Sequence, residues 1–195
     1  MKSFFSKLRC SWVNENPLMI QYHDIEWGTP VHDDTKLFEL LVLEGAQAGL
    51  SWNTVLNKRQ NYRDAFENFN VSAISNYNQE KIDELLQNAS IIRNKLKINS
   101  VITNAKAFIE VQKEFTTFDT FIWQFVHNKP VQHTIKTSAD FVSRTEISDK
   151  MSKELLKRGF KFVGSTICYA FMQATGMTND HLSSCFRYKE IKTIT

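Results

Sequence analysis

The sequence predicts an all-helical fold, and three observations carry that prediction. Six glycines and three prolines in 195 residues leave few of the turns that a sheet protein needs. Apolar residues return at the i, i+3, i+4, i+7 spacing of an amphipathic helix nearly throughout. No stretch alternates convincingly with the period of two that marks a half-buried strand. The chain is 42% hydrophobic and 23% charged, an ordinary globular composition, and is long enough for one good core or two small lobes sharing a surface.

Taken in order, the region from Cys10 to Trp27 reads as loop-like, polar sequence that carries Cys10, Trp12, Tyr22, His23 and Trp27. Aromatic residues there either plug a core or line a pocket. Asp33 and Asp34 supply an N-cap and a first-turn acid for a helix whose apolar face is Leu37, Phe38, Leu40, Leu41 and Leu43. Glu44 follows directly, where the helix is expected to give way to a turn. A carboxylate in that position is either solvated at a helical corner or buried with a partner. Gly45 and Gly49 permit close approach or unusual backbone angles, and Ser51 caps a second helix with Trp52, Val55, Leu56 and Tyr62.

Asn78 is the expected cap of a helix using Ile82, Leu85, Leu86 and Ala89. Ile98 through Gln112 is a long helix, and Phe118, Phe121, Ile122 and Phe125 form another that stops before Asn128 and Pro130. Residues 128–147 lack a clear period and read as a loop crossing between lobes. Ser148–Arg158, with Met151, Leu155 and Leu156 inward, and Ser165–Thr175, closed by Gly176, are two more helices. The hairpin Gly159–Gly164 between them aims backbone N–H groups and a helix N-terminus outward, among Lys153, Lys157, Arg158 and Lys161. That cluster is either a phosphate site or a solvated basic helix end complementing its own dipole. After Tyr188 the tail reads as unanchored.

Composition excludes several classes. No apolar run approaches the ~20 residues that span a bilayer, and the basic, aromatic residues 1–9 are too short for a signal-peptide core. A cytoplasmic location and no membrane association are expected. A net charge of +3 is too mild to argue for nucleic acid by itself. Three cysteines, Cys10, Cys168 and Cys185, suit neither a disulfide framework nor a four-thiolate cluster. Cys10 and His23 at one end, with His181 and Cys185 four residues apart at the other, make up a tetrahedral zinc set without an open position. The same residues also fit buried cysteines and satisfied core histidines. Cys168 reads as core.

Together, Cys10-Ser11-Trp12, Tyr22-His23-Asp24, Glu26-Trp27-Gly28, LEGAQAGLSW (43–52), RGFKFVGSTICYAF (158–171) and Asn179-Asp180-His181 with Cys185 resemble the 3-methyladenine DNA glycosylase I family, helix-hairpin-helix base-excision repair enzymes. The resemblance spans residues 10–185 in the family's order. It implies a single glycosylase unit over 1–195 with two helical lobes. In it the termini, about 8–30 and 177–188, are packed together by one structural zinc on Cys10, His23, His181 and Cys185, and a helix-hairpin-helix lies at about 148–176. It further implies that Glu44 is the pocket carboxylate and that Tyr22 and Trp52 stack on the base. Trp12 and Trp27 become pocket walls, and Gly49-Leu50 the turn that fills the vacated stack. Gly159, Lys161, Gly164 and Ser165 fall in the phosphate anchor. The implied partner is double-stranded DNA containing alkylated bases, engaged by a monomer without an obligate protein partner.

The sequence departs from the family at Met19, where a Tyr is usual beside the pocket, at Ser11 and Ala46, and at Asn94–Leu96. The expected activity is monofunctional excision of 3-methyladenine without strand cleavage. Three other readings retain these residues: a binder of alkylated or distorted DNA that excises nothing, a zinc-stapled interaction module, and a glycosylase of broader alkyl-base specificity.

Overall fold

The computed structural model describes residues 7–194; the first six residues of the basic N-terminal stretch, and Thr195, lie outside the described residues. Eleven α-helices are seen among them: α1 Pro17–Gln21, α2 Asp34–Gln47, α3 Trp52–Asn57, α4 Arg59–Ala65, α5 Val71–Ser75, α6 Gln79–Gln87, α7 Lys95–Phe115, α8 Phe118–Trp123, α9 Glu146–Lys157, α10 Ser165–Ala174 and α11 Phe186–Ile194. Local chemistry sets most of the starts. Side chains of Asp33, Ser51, Asn78, Asn94, Thr117 and Thr145 each accept from a backbone N–H of the first turn, satisfying donors that have no partner inside the helix. No helix among the described residues is long and apolar enough to cross a membrane.

α2 and α7 are the central elements. Leu37, Phe38, Leu40, Leu41 and Leu43 of α2 meet Ile98, Val101, Ile102, Ala105 and Phe108 of α7 in one large buried cluster, which α10 joins through Cys168, Phe171 and Met172. A second, smaller cluster under the chain ends holds Cys10, Met19, Tyr22, Trp27, Leu182 and Cys185. Cys168 is buried, and its thiol donates to the Val163 carbonyl at 3.2 Å, as expected of a core residue.

Several local expectations are corrected. Val131–Gln132 (β1) and Thr178–Asn179 (β2) pair in parallel, with an isolated bridge from Ile135 to Leu182, so part of the loop over 128–147 is extended and stitched to the C-terminal segment. Two residues are too few to give a strand period in sequence. The region before Trp27 is not simply loop: Asn16 and Pro17 start α1, and a π-helical turn over Tyr22–Glu26 continues it. α2 runs through Glu44 and Gly45 to Gln47, so the turn starts later than expected. Leu156 is 52% exposed, because only Met151 and Leu155 share the inner face of α9. Ala89 falls beyond the end of α6 and is exposed. The tail is helical as α11 and is anchored by Ile191, which is fully buried.

Candidate active site and metal cluster

The open end of α2, the π-helical turn, α3 and α10 surround a cleft of about 490 Å³. Its lining includes Trp12, Met19, Tyr22, Trp27, Glu44 and Trp52. Glu44 reaches it because α2 continues past its apolar run: Leu40, Leu41 and Leu43 face the core while Glu44 turns toward the gap beside Tyr22. The carboxyl is 3% exposed, its Oε2 has no hydrogen-bond partner among the described residues, and burial raises its pKa to about 8. Tyr22 and Trp52 pack against each other as a tilted pair, ring centroids 5.1 Å apart and planes at 46°, and Trp12 meets Trp27 edge-on at 4.9 Å. Burial and the neighbouring Glu44 push the Tyr22 hydroxyl well above its ordinary pKa, keeping it neutral. The Trp52 indole N–H is likewise buried without a partner. Two unpaired polar atoms in an aromatic cleft are unusual in a folded core, where such groups nearly always find partners.

Other lining residues were not singled out from sequence. Gln47 lies three residues after Glu44 on the same helical face, and Ala170 with Gln173 repeats that spacing on α10, a signal that was available. Phe141 and Val142 come from the aperiodic stretch, which gave none.

The turn after α2 is set by Gly49, at φ +76°, and by the Leu50 N–H, which donates back to the Gln47 carbonyl at 2.6 Å. Leu50 stands 42% exposed at its tip. The hairpin between α9 and α10 turns on Gly159 at φ +90° and is pinned by buried Phe160 and Val163. The N–H groups of Gly159 and Phe160 return to α9, and that of Lys161 goes to the Asn104 side chain. Those of Phe162, Val163 and Gly164 have no partner among the described residues, and α10 starts at Ser165 without a side-chain cap. Lys153, Lys157 and Lys161 are exposed nearby. Arg158 does not belong with them. Its guanidinium binds Glu114 and Glu154 and lies over Phe115 and Phe121.

Asn94 caps α7, and Leu96 beside it is 71% exposed. Ala46 is buried and Ser11 exposed.

At the chain ends Cys10, His23, His181 and Cys185 come together, all buried, with their ligand atoms within 4.8 Å of one another. His181 and Cys185 meet through a bend and turn, not on a helix, since α11 starts only at Phe186. Sγ of Cys185 lies 3.5 Å from Nε2 of His23 and 3.6 Å from Nδ1 of His181, and Sγ of Cys10 lies 3.6 Å from the same Nδ1. A tetrahedral ion with metal–sulfur and metal–nitrogen bonds of about 2.3 and 2.05 Å has sulfur–nitrogen edges of about 3.6 Å, so the residues fit one metal ion. The remaining ring nitrogens are also engaged: Nδ1 of His23 with Asp24 at 2.8 Å, and Nε2 of His181 with the Trp27 carbonyl at 3.0 Å. Arg9 holds Asp24 in turn. Hydrogen bonding between the two sulfurs raises the pKa of Cys10 and lowers that of Cys185, and hydrogen bonds from His181 and His23 further favour the Cys185 thiolate. The cluster and cleft share walls, because Trp27 packs edge-on against His181 at 4.6 Å and Trp12 against His23 at 5.3 Å.

This arrangement has known counterparts. The family model described as methyladenine glycosylase matches residues 12–188. The chain is 48% identical over 180 residues to DNA-3-methyladenine glycosylase 1 of Escherichia coli (strain K12), covering 92% of this chain and 96% of that one. It is 46% identical to DNA-3-methyladenine glycosylase of Haemophilus influenzae, covering 91% and 96%. A crystal structure of 3-methyladenine DNA glycosylase I superposes with a TM-score of 0.90 at 48% identity, covering 92% of this chain and 98% of that one. The enzyme from Staphylococcus aureus, whose structure concerns 3-methyladenine recognition, gives 0.89 at 30% identity, covering 91% and 95%. With the model match spanning nearly the whole described chain, and relatives similar over almost their full length, the chain belongs to the methyladenine glycosylase family.

Proposed function

We propose that this chain is a DNA repair glycosylase that flips 3-methyladenine out of the duplex and hydrolyses its N-glycosyl bond. The observation that carries the reading is Glu44, a buried carboxyl with an unpaired oxygen in an aromatic cleft. N3-methylation makes the base cationic in DNA, so the glycosidic bond is already weak and its electron pair leaves with a neutral base. The residual carbocation on the sugar is captured by water. The chain therefore contributes recognition more than bond-breaking power. Tyr22 and Trp52 stack on the flipped ring, where cation–π attraction adds about 0.5–2 kcal/mol over a neutral base. The cationic ring, once in the cleft, draws Glu44 to its ionised form, which accepts from the exocyclic amine in a water-poor site. A guanine would set an oxygen against that acceptor. Trp12, Trp27 and Met19 form the walls.

Flipping costs roughly a few kcal/mol, less for a damaged base. Leu50, on the Gly49 turn, fills the gap and offsets part of that cost. The phosphate backbone is held at the helix-hairpin-helix over about 148–176, by Gly159, Lys161, Gly164 and Ser165. The free N–H groups of residues 162–164 and the uncapped start of α10 support this. No lysine lines the cleft, which supports a monofunctional enzyme without Schiff-base chemistry.

Cys10, His23, His181 and Cys185 hold one structural zinc per chain. With four protein ligands the ion leaves no position for substrate, and its role is to clip the chain ends and the aromatic walls they carry. We read 1–195 as one unit of two helical lobes, a cytoplasmic monomer acting on alkylated double-stranded DNA.

Incubation with dimethyl-sulfate-treated DNA should release 3-methyladenine, and Glu44→Ala should reduce that release with metal content unchanged. Unchanged release would sink the assigned role. Other alkylated bases among the products would assign a broader pocket, and binding without release a non-excising protein. A borohydride-trapped protein–DNA adduct would overturn the monofunctional assignment. Purified protein with no zinc, or a Cys185→Ala variant of unaltered stability, would remove the metal clip.

A further inference from the structure

α7 touches both elements assigned to DNA without itself lining the cleft. Lys97, in its first turn, donates from Nζ to the carbonyl of Ala46 and to that of Ala48, both at 2.7 Å. Those carbonyls lie at the end of α2, immediately before Gly49 and Leu50. An ammonium there satisfies two acceptors that the helix leaves open and opposes the negative end of its dipole. Seven residues on, two helical turns and about 10 Å along the same face, Asn104 is 3% exposed. Its side chain accepts from the Lys161 N–H at 2.7 Å and donates to the Lys161 carbonyl at 3.0 Å, so both polar groups of one hairpin residue are held by one amide. A third contact closes the triangle. A Cβ placed on Gly45 would stand 3.2 Å from Cβ of Phe162, so α2 and the hairpin meet more closely than an ordinary side chain there would allow.

We propose that Lys97 and Asn104 are positioning residues that fix the distance between the Leu50 turn and the hairpin, using α7 as a rigid spacer. This rests on the reading above, in which Leu50 enters the base stack and the hairpin holds the backbone. Both must engage one duplex at once, and a displacement of about 1 Å in such a pair can cost up to ~100-fold in rate. Burial disfavours the Lys97 ammonium and lowers its pKa, which a lysine serving only solubility would avoid by pointing outward. A buried asparagine is similarly costly unless fully paired, and Asn104 spends its pairing on the hairpin backbone.

The test uses the full chain with dimethyl-sulfate-treated duplex DNA, and free 3-methyladenine as a separate probe followed by tryptophan fluorescence. Lys97→Met should lower single-turnover excision from duplex about 10-fold or more, with free-base affinity within twofold and Lys97→Arg retaining most activity. Asn104→Leu should raise the DNA concentration for half-saturation by a similar factor. Asn104→Asp, which keeps the acceptor and loses the donor, gives a milder variant if the first does not fold. Equal loss of free-base binding and duplex excision would reduce both residues to general stabilisers and overturn the proposal, as would full duplex activity in Lys97→Met. Leu50→Ala separates the two levels: if it keeps full activity, the reading of the turn fails. If it loses activity while Lys97→Met does not, only the spacer fails.

Discussion

Glu39 and Glu44 sit on the same helix, both buried, and their carboxyls are driven in opposite directions. Burial would raise Glu39, but hydrogen bonds from Arg59 and Arg63 outweigh it and hold its pKa at about 2. Arg59 also forks onto both oxygens of Glu26 at 2.9 Å, and Lys36 bridges Glu26 and Glu39 at the rim. Glu44 meets no cation, and burial alone lifts it to about 8. The difference teaches how to separate a scaffold acid from a ligand-binding one. Glu39 finds its partners within the fold, whereas Glu44 is completed only by something that enters the cleft.

Breaking the comparison on the Glu39 side should have the largest effect. Arg59→Met removes the one cation that bonds both carboxylates, leaving Glu39 to Arg63 and Lys36 and Glu26 to Lys36. It is expected to destabilise the protein by about 3 kcal/mol in urea denaturation at neutral pH, since breaking a buried ion-pair network is costly. A loss under about 1 kcal/mol would mean that pairing does not set the contrast. The Glu39 stabilisation should be complete above its ordinary pKa of 4.5 and fade as pH falls toward about 2.

On the Glu44 side the sign reverses. A carboxyl whose folded pKa is raised stabilises the fold most below 4.5, and that contribution is lost as pH rises through about 8. Glu44→Gln should therefore stabilise the DNA-free protein by on the order of 2 kcal/mol at pH 8.5, and flatten this part of the stability curve. Excision by the same variant should fall roughly 10- to 100-fold, the worth of a charge-assisted hydrogen bond. A variant no more stable than the parent at pH 8.5 would show that the cleft already hydrates Glu44.

The pH profile of kcat/KM sharpens the same point. It reports groups of the free enzyme, so an ascending limb should appear as pH approaches about 8 and be absent in Glu44→Gln. An ascending limb near 4.5 instead would place Glu44 in contact with water. The smallest effect is expected at Lys36, whose rim position makes Lys36→Ala worth about 0.5 kcal/mol by thermal melting.

Much of the fold was legible because its signals are local. Asp33, Ser51 and Asn78 cap helices through N–H groups three residues away, and Gly176 at φ +70° closes α10. The candidate cleft was partly legible, since Glu44 and Trp52 flank glycines in a pattern that a plain core does not need. Other features had no local cause. Ile191 anchors the tail only because the Gly28 and His181 region lies beside it. Phe141 reaches the cleft from residues with no period, and Lys97 and Asn104 looked like one more cation and one more amide on an amphipathic helix.

The sequence by itself determined where most of the longer helices start, because caps and apolar spacing act within a few residues, whereas several of their ends, and the helices near the chain termini, depended on packing. It also supplied two cysteines and two histidines of the right kinds at the chain ends. Only the tertiary structure decided which of these polar groups would be satisfied. A buried charge takes its meaning from partners distant in sequence, and nothing near Glu39 or Glu44 states that Arg59 reaches one and leaves the other open.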